Sequence, residues 1–179
     1  MNYEQSKEIY KKYIDDHRAN VKKAWDMFRI KLKGYKYLDN DFITNAIDTH
    51  INNHDLSKYG EDEFEPYRQK WYAYDGETTD EAIYESAWQH HKDNNPHHWE
   101  HWFNPKTQAF KLPNYGEAEK FTYLVEMLCD WIAMGMKDGN DDAMKWYQTN
   151  KDIVRLPNGE QEMVEEMLNL YYSGDDNES

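Results

Sequence analysis

Cysteine is nearly absent from this sequence: Cys129 is the single one in 179 residues. It has no intramolecular partner, so no disulfide framework is expected, and a reducing, cytoplasmic setting is. Prolines number five and glycines eight, and they cluster between periodic segments. No apolar run approaches the length of a membrane span, and the opening MNYEQSKEIYKKY lacks the character of a signal peptide. A soluble cytoplasmic protein is therefore expected, with no membrane partner. Basic residues are outnumbered, 21 against 35 acids, for a net charge of -14. Such a surface repels phosphate backbones, so no nucleic-acid duplex is expected as a partner. A small phosphorylated substrate is not excluded, because a bound metal inverts the local field. Stretches of alternating β-branched residues are almost missing too, which points away from sheet and toward an all-α fold. There is no internal repeat and no low-complexity linker. The length suits one domain, residues 1–172, followed by a frayed tail, 173–179.

What the chain does hold is aromatic rings: seven Trp, fifteen Tyr and six Phe. In a helical domain these are core builders first. A long first helix is expected from about Tyr3 to Leu32, with Ile9, Tyr13, His17, Val21, Ala24 and Phe28 inward. A turn at Gly34 leads to a second helix from about Asp41 to Leu56. Its inner side would carry Phe42, Ile43, Ala46, Ile47, His50, Ile51 and His54. Residues 61–73 read as a third helix with Pro66 near its first turns. A fourth opens on a capping box of Thr78 and Glu81 and runs to the histidine pair 90 and 91. Residues 93–115 read as an irregular aromatic loop. Helices from about Glu117 to Lys137, Asp141 to Thr149 and Glu160 to Tyr171 complete the domain.

Histidine is unevenly spread. Five of the eight fall in QHHKDNNPHHWEHW, residues 89–102. The others are His17, on the inward stripe of the first helix, and His50 and His54, one turn apart on the second. His54 is followed by Asp55 in NNHDLSK. Asp130 lies inside the apolar run YLVEMLCDWIAMGM, where a carboxylate is costly to bury unless paired, protonated or metal-bound. Each has a plainer reading. His17 alone fits a core histidine with one hydrogen bond, and Asp130 fits a solvent stripe shared with Glu126.

Taken together, a histidine on one helix, His-Asp ending a second and an aspartate in a late helix resemble the HD superfamily of metal-dependent phosphohydrolases. Many of its members also carry a lysine three positions after the aspartate, where Lys58 stands here. The stretches HDLSKYGEDEF, HHKDNNPHHWE and EMLCDWIAM are similar to an HD-like family of phage and bacterial proteins. The resemblance spans roughly His17 to Trp146. It implies a compact HD-type helical bundle in a bacterial or phage-infected cell. His17, His54, Asp55 and Asp130 would hold one divalent ion. Imidazole and carboxylate donors suit Mn, Fe, Co, Ni or Zn. In relatives with two ions, histidines between the His-Asp pair and the last aspartate bind the second, and Asp55 bridges. His91 and His98 are the expected ligands, with His97 close behind. His90 and His101 are expected to cap or stack instead. Glu126 is a possible additional ligand, and His50 a further ligand, an outer hydrogen-bond donor or a substrate contact.

The resemblance implies hydrolysis of a phosphate monoester or diester, nucleotides included, by a metal-activated water. Lys58 would neutralise phosphate charge and Asp55 would act at the ion. Glu65, or its neighbour Glu63, would orient water or take a proton, unless both are solvated surface. Trp99, Trp102 and Phe103 would stack a base or merely cover the core. Two other readings stay open: a di-iron oxygenase on the same fold, and a metal-stabilised interaction protein without turnover. Oligomeric state is not legible.

Overall fold

Asn2 starts the first helix. Its side chain accepts from the Gln5 amide while the Gln5 side chain reaches back to the Asn2 amide, a reciprocal cap. In the computed structural model, which describes residues 1–111, 114–137, 139 and 142–173, this helix, α1, runs Tyr3–Lys31. It is about 43 Å long. The fold is all-α: α2 is Asp41–Asn53, α3 Phe64–Tyr72, α4 Glu81–Asn94, α5 Trp99–Trp102, α6 Glu117–Lys137, α7 Ala143–Asn150 and α8 Asn158–Tyr172. Two-residue strands, Phe103–Asn104 and Ala109–Phe110, pair antiparallel beside α5.

Helix α6 is the axis of the bundle. Its buried residues include Phe121, Thr122, Leu124, Val125, Glu126, Met127, Leu128, Cys129, Ile132 and Ala133, which leaves little solvent face. Helices α1 and α2 pack along it, and α7 and α8 close the far side. Their apolar residues form the larger core. A smaller one, Tyr10, Ile14, Phe64, Tyr67 and Ala87, joins the start of α1 to α3 and α4. Among the described residues, no helix is long and apolar enough to cross a membrane.

Several expectations shift by a residue or a turn. The buried stripe of α1 is Ser6, Tyr10, Ile14, His17, Val21, Ala24, Trp25 and Phe28. Ile9 is exposed, and Tyr13 only half-buried, because the first step back from His17 is three residues, to Ile14, and not four, which carries the stripe on through Tyr10 and Ser6. Phe42, one residue off the Ile43–Ile47–Ile51 stripe, is 80% exposed. Helix α2 stops at Asn53, before the His-Asp pair and not after it. Helix α4 is capped by Asp80, which accepts from the Ala82 and Ile83 amides, so Thr78 lies outside the helix. The loop expected over 93–115 contains α5 and the strand pair. The seventh helix starts at Ala143, capped by Asp142; its expected start, Asp141, lies outside the described residues. So does the expected tail beyond Ser173, whose amide still bonds to the Asn169 carbonyl.

Candidate metal centre

Four stretches of backbone bring the donors together at the seam between the two cores. On α1, His17 sits between Ile14 of the smaller core and Val21 of the larger. At the end of α2, His54 leaves the helix with φ -49° and ψ 129°, and Asp55 turns left-handed at φ 57°. Aspartate tolerates that conformation better than most residues. The turn is anchored from α1, where the Arg18 guanidinium donates to the carbonyls of His54 at 2.9 Å and Asn52 at 2.6 Å. Glu126 and Asp130, one turn apart on α6, share a face, and that face is inward. His91 comes from the end of α4; His97 and His98 precede α5.

The first group is built from His17, His54 and Asp130, with Asp55 beside it. His17 Nε2 lies 3.0 Å from Asp130 Oδ1 and 3.3 Å from His54 Nε2. Asp55 Oδ2 is 3.6 Å from both imidazole nitrogens, and His54 Nε2 is 3.7 Å from Asp130 Oδ1. Donors about 2.1 Å from a common ion stand about 3.0 Å apart in cis-octahedral and about 3.4 Å apart in tetrahedral arrangement. The observed separations bracket those values. His54 Nδ1 is 2.9 Å from Glu126 Oε1 and must donate to that carboxylate, so its Nε2 lone pair faces His17. Two such nitrogens at 3.3 Å call for a proton or a cation between them.

The second group is Asp55, His91, His97 and His98, with donor atoms all within 4.8 Å of one another. His91 Nε2 and His97 Nε2 lie 3.3 and 3.6 Å from Asp55 Oδ1. Asp55 Oδ1, His91 Nε2, His97 Nε2 and His98 Nε2 are all buried without a hydrogen-bond partner. Leaving four such atoms unsatisfied is expensive, and a divalent ion would satisfy all four at once. Asp55 thus turns Oδ2 to one group and Oδ1 to the other. Behind the histidines stand two more buried carboxylates. Glu126 Oε1 accepts from His97 Nδ1 at 3.1 Å as well as from His54. Glu63 Oε2 accepts from His91 Nδ1 at 2.7 Å and from the Ser57 hydroxyl at 2.9 Å. Each such bond fixes a tautomer and aims Nε2 into the site.

The charges agree. Asp55, Glu63 and Glu126 are buried and Asp130 nearly so, and among the described residues Asp55 pairs with Lys58, whose Nζ is 2.6 Å from Asp55 Oδ2. Burial alone would raise the Asp55 carboxyl, but Lys58 and His54 hold it well below the usual range. Asp130, likewise opposed by burial, is held well below by bonds from His17 and His54. Burial opposes charge on His54, yet Asp55, Asp130 and Glu126 together carry its imidazole up to about 10. His98 goes the other way: burial and the neighbouring His97 and His91 push it well below its ordinary value.

A pH prediction follows for the metal-free protein. His54, raised from 6.5 to about 10, contributes stability that is complete below pH 6.5 and is lost as pH rises toward 10. The depressed carboxylates contribute stability present above their ordinary values, 3.8 for the aspartates and 4.5 for Glu126, and lost as pH falls through their lowered ones. His98, lowered, works the other way from His54: its contribution is present above 6.5 and is lost as pH falls. Melting curves of chelator-treated protein should therefore fall off on both sides, in acid as the carboxylates and His98 take up protons and in alkali as His54 loses its own. Metal-loaded protein should hold its Tm into alkaline pH, because an ion replaces the proton.

Of the residues singled out from sequence, His17, His54, Asp55, His91, His97, His98 and Asp130 converge here, and Lys58 adjoins them. Glu126 stands one layer out, bonded to two of the histidines. His50 also belongs to that outer layer, with Nδ1 3.4 Å from Glu126 Oε2 and its ring against Tyr123. Glu65 does not belong. It accepts from Tyr3 and from buried Arg68, each at 2.9 Å, on the α1–α3 surface. Arg68 also binds Glu77, so this knot is structural. Glu63, its neighbour, is the fully buried one. His90 donates to Glu63 from a largely exposed position, and His101 bonds to the Lys92 carbonyl and to Tyr115. Trp102 and Phe103 are core: Trp102 is 1% exposed and its indole donates to the Pro96 carbonyl. Sequence reasoning missed Arg18 and Ser57. Arg18 carried a faint signal in directly following His17.

A cleft of about 700 Å³ leads to the centre. His17, His98, Asp130 and Lys58 line its inner end; Trp88, Trp99, Trp131, Trp146 and Lys145 are also on its walls. Fold and site together define an all-α protein whose buried histidine and carboxylate groups can hold metal ions. The chain belongs to DUF5662, a family of unknown function, whose sequence pattern matches residues 6–170. No curated protein and no solved structure matches it.

Proposed function

We propose that this protein is an HD-type metal-dependent phosphohydrolase acting on a small phosphate monoester or diester, nucleotides included. The observation that carries the reading is Asp55, with one carboxylate oxygen toward each histidine group, beside Lys58 at the end of a cleft. Divalent ions bound there would supply Lewis acidity and a water acidic enough to serve as nucleophile at neutral pH. The protein's own groups do the rest. His17 and Asp130 present imidazole and carboxylate donors at the cleft wall, with the buried His54 ring beside them. Lys58 is held cationic: burial pulls its amine down, and Asp55 outweighs that and raises it. A fixed cation at this point stabilises charge that grows on a phosphoryl oxygen. Farther out, Trp131 and Trp146 stand 5.0 Å apart between ring centroids and offer an aromatic wall for a base or other flat group. The cleft volume suits a small molecule, and the acidic surface disfavours a polymer of phosphates.

Protein loaded with Mn²⁺ or Fe²⁺ should release phosphate or alcohol from nucleoside phosphates or nitrophenyl esters under strict anaerobiosis. Turnover that requires and consumes dioxygen would transfer the centre to oxygenase chemistry. Metal-replete protein that turns over nothing on mono- and diester panels, with or without oxygen, would leave a non-catalytic metal protein.

A further inference from the structure

The two histidine groups are built differently. In the second, Asp55, His91 and His97 are 1%, 0% and 2% exposed, and His98 alone of its members lines the cleft. Its donor set is three imidazoles and one carboxylate oxygen, enough to close a tetrahedral shell without solvent. In the first, His17 and Asp130 both form cleft wall, with the Asp130 side chain 13% exposed.

Packing adds a second, independent reason. Helix α4 packs on α3 and α5, while α1, α2 and α6 form the bundle proper. His91 ends α4, His97 and His98 lie in the link to α5, and Asp55 belongs to the turn that Arg18 anchors on α1. An ion in the second group therefore ties two points of the α4–α5 segment, His91 and the His97–His98 link, to the bundle through Asp55. The four unpartnered buried atoms are the ones such an ion would satisfy.

We propose that the groups divide the labour: the Asp55–His91–His97–His98 group holds a structural ion that fastens α4 and α5 to the bundle, and the His17–His54–Asp55–Asp130 group holds an exchangeable ion that meets substrate. This rests on the metal-binding part of the reading above and not on the reaction. Zinc preference belongs to the imidazole-rich second group, while the carboxylate-richer first group accepts Mn²⁺ as well.

The test is stepwise chelation of full-length protein reconstituted with zinc. Dipicolinate under native conditions should remove one equivalent with the Tm nearly unchanged, and the second should leave only with unfolding in urea. His91→Ala should lose the retained equivalent and drop the Tm by about 5 °C or more. Asp130→Asn should lose only the exchangeable one. His97→Gln, a milder change, should speed loss of the retained ion if His91→Ala proves insoluble. Release of both equivalents together would overturn the division, and so would a retained ion lost in Asp130→Asn but kept in His91→Ala or His97→Gln. Wild-type protein that takes up no metal would sink the centre itself. Two bound ions without phosphate release would sink the hydrolase reading and leave the division standing.

Discussion

Asp55→Asn should empty both metal groups in one step and lower phosphoester turnover on the order of 10³-fold or more. The reason is the bifurcation seen at this side chain. Oδ2 lies 3.6 Å from His17 and His54, and Oδ1 lies 3.3 Å from His91. Among the described residues, no other carboxylate faces both groups through its two oxygens. An amide keeps the shape but removes the negative charge and replaces one oxygen by a donor that cannot bind a cation. Asparagine also tolerates the left-handed backbone at φ 57°, so the turn should survive where most residues would strain it. Elemental analysis against the wild type is the direct measure. A variant that still carries two equivalents would remove Asp55 from its bridging role.

Lys58→Met should do the reverse: keep the ions and lose the chemistry. Methionine preserves much of the aliphatic stem and deletes the ammonium 2.6 Å from Asp55. A preorganised cation facing developing phosphoryl charge is worth on the order of 10²–10³ in kcat. The loss should appear in kcat, with KM changed less, because the charge it meets grows toward the transition state. Deleting the amine also frees Asp55 from its one lysine partner, so metal affinity should stay level or rise. Unchanged kcat with full metal content would make Lys58 a structural counter-ion only. Loss of metal would show that it shapes Asp55.

These residues differ in how readable they were. The all-α class followed from periodicity and from the shortage of β-patterned segments, and Glu117–Lys137 was legible to the residue because a single apolar stretch fills it. His17 showed through the spacing of its stripe, and Asp130 through the cost of a carboxylate in that stretch. Other residues were not legible. Glu63 and Glu65 are two positions apart with similar surroundings in the chain, yet one is buried behind His91 and the other pairs with Arg68. Local pattern cannot separate them, because burial depends on how α3 meets α4. Whether Glu126 turned inward with Asp130 or out to solvent stayed open, since spacing reports which residues share a face and not which way it points. The break after Asn53 was missed as well. Helix propensity carries through His54, whereas the anchoring bonds come from Arg18, some 36 positions earlier in the chain.

Amino-acid order alone was enough for the helical class, the acidic surface and the supply of imidazoles and carboxylates, because these depend on composition and on near-neighbour spacing. Only the folded chain could assign those side chains to two groups, turn one oxygen of Asp55 toward each, and set Glu63 and Glu126 behind the rings. Those outcomes depend on where helices cross, and crossings are fixed by packing between segments far apart in sequence.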